Sequence, residues 1–341
     1  MRGFFAGRPE RLVPAVSIVV VALAVVVLPL VAGRGLRVFD LFNGFQGAAQ
    51  FGFIALALGL TMIAGEFDLS VTGVHVLGGV IAVAVGGQDP ALGVLAGVGA
   101  GLAVGLLQGI VIAVTRAPSL AVTLGTLIAT LGLTSMLSGG LSLTYANTAV
   151  TLAVDQPVLG ILSPRSLILL GVVLLAAGIL TATRLGRELR AIGSDRRAAR
   201  VAGAPVGRLV VGVFAASGAL AALGGVLLAF SFSSANPSPG PQLLILGIVA
   251  ALVGGLSLSG GRGHPLGILL GVIAVAFVGQ LTTMLGLPSF LTQLTFAAFL
   301  VVIAIVDAPG LRDAVTRVRS WREGGTRPRE ADQPATTTPV R

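Results

Sequence analysis

The sequence predicts an all-α, polytopic membrane protein with about ten transmembrane helices. Of its 341 residues, 55% are hydrophobic and only 10% are charged, and the mean hydropathy is +1.00. That composition leaves too little polar surface for a soluble chain of this length. Glycine is abundant, with 49 residues, as expected where membrane helices pack closely. Cysteine is absent, which excludes disulfides and thiolate metal sites.

Apolar runs long enough to cross a bilayer as helices, about 20 residues each, recur along the chain. We predict ten spans, at residues 12–32, 44–64, 71–87, 91–115, 120–138, 167–183, 210–232, 242–256, 266–286 and 290–307. The first is predicted to be an anchor and not a signal peptide, because its apolar run is too long and no small-residue cleavage site follows Leu30. The spans define a transmembrane domain at 12–307, between a cytoplasmic arm at 1–11 and a cytoplasmic tail at 308–341. The tail, rich in Arg, Thr and Pro, is predicted to be disordered.

The arginines are distributed unequally between the two sides of this topology. If the N-terminus is cytoplasmic, all 22 basic residues except Arg34, Arg37 and Arg165 fall in cytoplasmic segments. This bias follows the positive-inside rule and predicts that both termini lie in the cytoplasm. The net charge of +9 is then a consequence of topology and of contact with membrane lipid. No nucleic-acid partner is predicted.

The sequence lacks the residues that several kinds of catalysis require. The chain contains no lysine, so it has no phosphate-binding loop of the G-x-x-x-x-G-K-[ST] type. No G-x-S-x-G nucleophile elbow occurs either. The two histidines, His75 and His264, are far apart and have no carboxylate at ligand spacing, so each is predicted to be a polar residue at a helix end. We therefore predict that this chain is not an enzyme and binds no metal or cofactor.

Two carboxylates, Glu66 and Asp68, lie in one of the most apolar regions, with no basic residue between Arg37 and Arg116. An ionised carboxylate at the bilayer centre costs about 2.5–3.5 kcal/mol even on insertion scales. The polar cluster in which they occur therefore indicates a helix that breaks while lining a path or packing inside the protein. A short cytoplasmic turn, with both acids in water, explains the same residues equally well on physical grounds.

The longest charged internal loop, 186–209, contains signals for a short helix. Ser194 or Asp195 can cap a helix over 196–202, Gly203 ends it, and Pro205 prevents its resumption. Small residues share one side of this helix and arginines another. Such a helix suits docking on a partner protein, although a basic helix lying on anionic lipid is the alternative.

Four blocks, in order, resemble the permease subunit of ABC importers of the ribose/simple-sugar family. The sequence GEFDLSV at 65–71 resembles the family's G-x-D-L-S-V-G block, and PSLAVTLGT at 118–126 resembles P-x-F-I-V-T-L-G-T. The sequence GRELRAIGSDRRAA at 186–199 resembles G-R-x-x-x-A-I-G-x-N-x-x-A-A. Finally, GGLSLSGGRG at 254–263 resembles G-G-x-S-L-x-G-G-R-G. Four ordered blocks are much more specific than any one of them.

The resemblance implies a type II ABC importer-like permease fold in the bacterial cytoplasmic membrane. A separate ATPase subunit would bind ATP and magnesium, a second permease chain would complete the path, and an extracytoplasmic solute-binding protein would deliver the solute. The loop 184–209 would dock on the ATPase through Asp195, Arg196, Arg197, Ala198, Ala199, Arg200, Val201 and Gly203. The residues implied along the translocation path are Glu66, Asp68, Ser70, Thr72, Thr123, Thr126 and Ser257.

The predicted function is import of a small polar solute, a monosaccharide by resemblance. Departures from the family blocks at Thr72 and Leu256, and the scarcity of aromatic residues, weaken the transfer of substrate identity. A branched-chain amino-acid or nucleoside ABC permease is the nearer alternative. A secondary transporter that carries a proton or sodium on Glu66 or Asp68 is the alternative from another class, and a membrane enzyme ranks behind both. Asp68 is expected to accept hydrogen bonds from backbone N–H groups near Ser70 and Thr72, and Glu66 to be the more dispensable acid.

Overall fold

The computed structural model describes residues 12–33, 35–238 and 240–307. The chain divides after residue 300 into two compact units, and residues 301–307 are the described part of the second. The arm predicted at 1–11 and the tail predicted at 308–341 lie outside the described residues. The described elements are α1 (Leu12–Val31), α2 (Val38–Ile63), α3 (Val71–Val85), α4 (Pro90–Thr115), α5 (Ser119–Ser138), β1 (Leu143–Thr144), α6 (Thr148–Asp155), α7 (Pro164–Ala182), α8 (Arg184–Ser194), α9 (Arg196–Val201), α10 (Val206–Ser231), β2 (Ser234–Ala235), α11 (Gln242–Val253), α12 (Pro265–Met284) and α13 (Ser289–Asp307).

A helix occurs at each of the ten predicted spans. Within the described residues, six helices are long and apolar enough to cross a membrane, namely α2, α4, α5, α7, α10 and α12. The apolar helices α3 and α11 have 15 and 12 residues, which is short for a straight span of about 20 residues. The chain is therefore a helical, multi-pass membrane protein.

Local sequence signals fix several helix starts. Asp89 accepts a hydrogen bond from the Ala91 amide at 2.9 Å and precedes Pro90, the first residue of α4. His264 caps α12 in the same way, since its Nδ1 accepts from the Leu266 amide at 3.1 Å. The prediction of a helix-end position is thus confirmed for His264. It is wrong for His75, which lies in the second turn of α3 and is 2% exposed. Its ring can be buried because Nδ1 lies 3.1 Å from the Ala221 carbonyl oxygen on α10.

The centre of the bundle is formed by α2 and α10. In the most apolar window of each, 83% of α2 and 72% of α10 is buried, compared with 17% for α5. Helix α5 instead exposes large apolar side chains, including Ile128 and Met136. Exposed apolar surface of this kind is stable only against lipid or another apolar chain.

Helix α4 packs through a stripe of glycines spaced four residues apart. We call Gly93, Gly97, Gly101, Gly105 and Gly109 the α4 glycine stripe. A Cβ built on Gly97 would lie 2.6 Å from the carbonyl oxygen of Gly78, and one on Gly109 would lie 3.0 Å from Cα of Val211. The backbones of α3 and α10 therefore approach α4 as closely as glycine allows.

At one end of the bundle, two connections are joined by a short antiparallel ladder. Leu143 pairs with Ala235, and Thr144 pairs with Ser234. The Tyr145 ring stacks on Phe230 with a centroid distance of 4.7 Å, and its hydroxyl donates to the Gly86 carbonyl at 3.2 Å. The ladder and this ring fix the α5–α6 and α10–α11 connections against the ends of α3 and α10.

Candidate functional site

Asp68 is completely buried and fully provided with hydrogen-bond donors. Its Oδ1 accepts from the amide of Ser70 at 3.0 Å and from the Ser70 hydroxyl at 2.6 Å. Its Oδ2 accepts from the Ser217 hydroxyl at 2.8 Å and from Nε2 of Gln108 at 3.3 Å. The break between α2 and α3 is thereby tied to α4 and α10, since a buried carboxylate is tolerated only with such partners.

Gln108 and Ser217 belong to this cluster but are not among the residues predicted from the sequence. Gln108 is 3% exposed and Ser217 is 0% exposed, each on an otherwise apolar helix. An isolated polar side chain in a predicted span is a usable signal, because it needs a buried partner. The identity of that partner could not be predicted, because the two residues are far apart in sequence.

The other residues predicted along the translocation path lie in different parts of the structure. Thr123 is buried, and its hydroxyl donates to the carbonyl of Phe67 at 3.2 Å, next to Asp68. Thr72 is buried on the first turn of α3. Thr126 donates to the Val122 carbonyl of its own helix at 3.0 Å. Ser257 lies in the loop between α11 and α12, with its Oγ 2.8 Å from that of Ser259. The described contacts thus join Ser70 directly to Asp68 and Thr123 to the backbone of the residue before it, whereas Thr126 bonds within its own helix.

Glu66 has a partner that the sequence analysis did not foresee. Its Oε1 accepts a hydrogen bond from Nη2 of Arg196, the first residue of α9. The Glu66 side chain is 6% exposed and that of Arg196 is 44% exposed, so the pair sits where the bundle meets its surroundings. The two carboxylates therefore face different elements, Asp68 the helices α4 and α10, and Glu66 the short helix α9.

The last turn of α8 and two loops meet beside Glu66 through glycine contacts that we call the glycine junction, formed by Gly65, Gly193, Gly260 and Gly261. The amide of Gly261 donates to the carbonyl of Ile63 at 3.1 Å. A Cβ built on Gly193 would collide with that same carbonyl and would lie 2.6 Å from the Gly261 nitrogen. Gly65, Gly260 and Gly261 have φ of 76°, 80° and 71°, where side chains are strained. Three of the four family-like sequence blocks thus come together in space.

Helix α9 has the form that its local signals predicted. Asp195 caps it, accepting from the amides of Arg197 and Ala198 at 2.8 and 3.0 Å, and Gly203 follows it at φ 87°. Ala199 is 5% exposed, whereas Val201 is 90% exposed. The face of α9 that is open to a partner therefore contains Val201, and Ala199 packs against its own chain.

The opposite end of α2 holds a second polar network, which we call the Arg165 cluster. Arg165 is 4% exposed, and its Nε lies 3.4 Å from Oδ1 of Asp155. Gln46 accepts from Nη2 of Arg165 at 3.1 Å and donates to Asp155 at 2.9 Å. The hydroxyls of Ser163 and Ser231 donate to Gln46 and Asp155. The cluster joins α2, α6, α7 and α10. In the sequence, Arg165 stands out only as an exception to the charge bias.

Comparison with known proteins gives one family and several relatives. A family model described as "Branched-chain amino acid transport system / permease component" matches residues 41–305. The chain is similar to the ribose import permease protein of Bacillus subtilis strain 168, with 30% identity over 306 residues, which cover 89% of this chain and 94% of the relative. It is also similar to the ribose import permease protein of Escherichia coli K12, with 33% identity over 145 residues (42% of this chain, 45% of the relative).

The xylose transport system permease protein of Escherichia coli K12 is 33% identical over 143 residues, or 41% of this chain and 36% of the relative. No solved structure matches the chain. The family model covers well over half of the sequence, and the ribose permease match extends along nearly the whole relative. The predicted resemblance is therefore confirmed, and the chain belongs to the family of ABC-importer permeases whose model is described as the permease component of the branched-chain amino acid transport system.

Proposed function

We propose that this chain forms the translocation path for a monosaccharide in a bacterial ABC importer. The observation that carries the proposal is the similarity of this chain to a ribose import permease, which covers 94% of that permease's length. A shared family alone leaves the solute open, because the family description names branched-chain amino acids. ATP and magnesium would be bound by a separate ATPase subunit, and a solute-binding protein would deliver the sugar. A second permease chain would complete the path.

The same proposal includes ten spans with both termini in the cytoplasm. In that orientation, α9 and the glycine junction lie at the cytoplasmic face, and the Arg165 cluster and the β1–β2 ladder lie at the outer face. The arginine bias supports it, because the arginine-rich segment 184–208 then faces the cytoplasm. The helices α3 and α11 are shorter than a full span, so each would cross the membrane together with its adjoining loop residues.

A contact route for coupling runs from α9 into the bundle. Movement of the ATPase would displace the exposed face of α9 around Val201. The Arg196–Glu66 pair and the glycine junction would pass that displacement to the segment between α2 and α3. Asp68, held by Gln108 and Ser217, would pass it on to α4 and α10, since tightly packed elements move as units.

The test of this function is uptake into proteoliposomes that contain the permease, its ATPase and its binding protein. Labelled D-ribose and D-xylose should accumulate with ATP inside, and an uncoupler should leave the initial rate unchanged. Asp68→Asn should reduce that rate at least tenfold, because charge-assisted hydrogen bonds are roughly twice as strong as neutral ones. Collapse of uptake on dissipating the ion gradient at constant ATP would contradict the proposal and favour an ion carried on Asp68 or Glu66.

Docking and orientation are tested by two variants at exposed apolar residues. Val201→Glu should abolish copurification of the ATPase, because it places a charge in the centre of a proposed contact. The matched control is Leu159→Glu, a similarly exposed position (84%) proposed to lie at the outer face, with which the ATPase should copurify normally. A reporter fused after Arg208 should read cytoplasm, and an external reading would overturn the orientation.

A further inference from the structure

The end of α4 and the start of α10 place two arginines on neighbouring turns at one end of the bundle. A Cβ built on Gly207, in the first turn of α10, would lie 3.9 Å from Cβ of Ala113, in the last turn of α4. Arg208 follows Gly207 in the first turn of α10, and Arg116 caps the end of α4. Both arginines are exposed. Two cations therefore belong to adjacent turns of two packed helices.

Neither cation is neutralised by the part of the chain that the structure describes. None of the ion pairs in that part includes Arg116 or Arg208. The acids of α8, of the α2–α3 break and of the α8–α9 connection have other partners, two of them in ion pairs and one at the start of α9, namely Glu188, Glu66 and Asp195. An anion from outside the described chain is therefore the partner that these two arginines lack.

The helix dipole explains one of the two arginines and not the other. A cation is favourable at a helix C-terminus, where Arg116 lies, and unfavourable in the first turn of a helix, where Arg208 lies. The first turn of α10 contains no acid that would offset this cost, and no side chain caps it. Arg208 therefore destabilises the start of α10 unless an anion lies beside it.

A row of partly exposed apolar side chains leads along α4 towards the two arginines. Leu102, Leu106 and Ile110 are 41%, 37% and 46% exposed. They are spaced four residues apart and Ala113 continues the row, so they lie on the side of α4 that adjoins α10. The row is about 12 Å long, at 1.5 Å per helical residue. We call this surface the α4–α10 patch, formed by Leu102, Leu106, Ile110, Arg116 and Arg208.

We infer that the α4–α10 patch binds an anionic phospholipid, with the phosphodiester at Arg116 and Arg208 and an acyl chain along the apolar row. A bilayer supplies phosphate at the level where spanning helices end, and arginine donates charge-assisted hydrogen bonds to phosphate oxygens. The inference goes beyond the proposed function and takes from it only the orientation, which places the lipid in the cytoplasmic leaflet.

Two other occupants fit the patch less well. Two permease chains in one membrane are related by an axis along the membrane normal, which brings residues of equal depth together. Copies joined at this patch would bring their arginine pairs near each other, and like charges across an interface are unfavourable. The ATPase is the other occupant, and the apolar row lies along a membrane-spanning helix, beyond the reach of a protein in the cytoplasm.

The test measures lipid binding to the full-length permease in detergent. Native mass spectrometry gives the dissociation constant of the first bound lipid, with dioleoyl-phosphatidylglycerol as the anionic probe and dioleoyl-phosphatidylcholine as the zwitterionic probe with the same chains. The variants are Arg116→Gln, Arg208→Gln and the double variant. The matched control is Arg197→Gln, an exposed arginine of α9. It lies one turn before Val201, on the face proposed to meet the ATPase.

We expect the parent to bind phosphatidylglycerol at least tenfold more tightly than phosphatidylcholine. Each single variant should weaken phosphatidylglycerol binding about fivefold, and the double variant about 25-fold if the two contributions add. Arg197→Gln should bind both lipids as the parent does. Glycerol 3-phosphate, which has the phosphate without the chains, should not displace phosphatidylglycerol even in large excess, because it gains nothing from the apolar row.

Four results would overturn the inference. Equal affinity of the parent for the two lipids would do so without any variant, and an equal loss in Arg197→Gln and Arg116→Gln would reduce the effect to net charge. Displacement by glycerol 3-phosphate would replace the lipid site by a simple anion site. Loss of ATPase copurification in the double variant, with phosphatidylglycerol binding unchanged, would assign both arginines to the ATPase interface. Sugar uptake is measured in none of these assays, so the proposed function stands or falls separately.

Discussion

The two ends of α2 are held by different kinds of contact, mainly backbone atoms at one end and polar side chains at the other. At the end near Ile63, the glycine junction brings two loops and the last turn of α8 together through backbone atoms, with the pair Glu66–Arg196 beside it. At the end near Gln46, the Arg165 cluster joins four helices through side chains alone. Backbone contacts tolerate almost no added atom, whereas a side-chain network can lose one member and retain others. The first end should therefore be the more sensitive to substitution.

The largest effect is expected from breaking the glycine junction. Gly193→Ala places a methyl group against the carbonyl of Ile63 and the amide of Gly261, and overpacking against backbone should lower the free energy of unfolding by about 3 kcal/mol. Thermal unfolding of the detergent-solubilised protein measures it. The control is Gly178→Ala in α7, where nothing lies within 4 Å of the new Cβ, and which should be neutral or slightly stabilising. Equal unfolding temperatures for the two variants would mean that the glycine junction tolerates an added methyl group, contrary to the close backbone contact at Gly193.

A smaller effect is expected at the Arg165 cluster. Asp155→Asn leaves the guanidinium of Arg165 buried without its counter-charge. Because the Asp155 side chain is 29% exposed, we expect a loss of roughly 2 kcal/mol, less than for a fully buried pair. The double variant Asp155→Asn/Arg165→Gln should recover part of it in the same unfolding assay. A double variant as unstable as the sum of both singles would mean that the two residues do not interact.

The smallest effect on stability is expected at the Glu66–Arg196 pair. Glu66→Gln leaves a cation whose side chain is 44% exposed, so the loss should be below about 1 kcal/mol. Arg196→Gln leaves the buried Glu66 carboxylate unpaired and should cost more. Whether the pair takes part in coupling is tested by measuring solute uptake per ATP hydrolysed. This ratio should fall in both variants. An unchanged ratio would reduce the pair to a structural contact.

Features that depend on neighbouring residues were predictable. The helix positions follow from apolar runs, and α9, with its Asp195 cap and Gly203 end, follows from signals within ten residues. The hydrogen bond from the Ser70 amide to Asp68 spans two residues and was expected. The partners Gln108 and Ser217 lie 40 and 149 positions from Asp68, and Arg196 lies 130 positions from Glu66. Those pairs depend on how the helices pack, and helix packing cannot be read from a single sequence.

The same limit explains His75 and the Arg165 cluster. His75 has an ordinary apolar neighbourhood in sequence, and only the close approach of Gly224 and Gly225 on α10 shows that its ring is locked. Arg165, Asp155 and Gln46 come from three helices with no shared motif. A lone polar residue in an apolar span signals that a partner exists, and the fold decides which one.

The α4 glycine stripe has a consequence for how this protein can diverge. Every single-base change in a glycine codon that alters the residue adds at least a Cβ. At Gly97, Gly101 and Gly105 that atom would meet backbone carbonyls of α3 or α10. Relatives that lack one of these glycines should therefore carry altered backbone spacing or compensating changes on the facing helix. A survey of natural variants should find this face of α4 nearly fixed while its opposite face, with exposed Leu95, Leu107 and Val114, drifts among apolar residues.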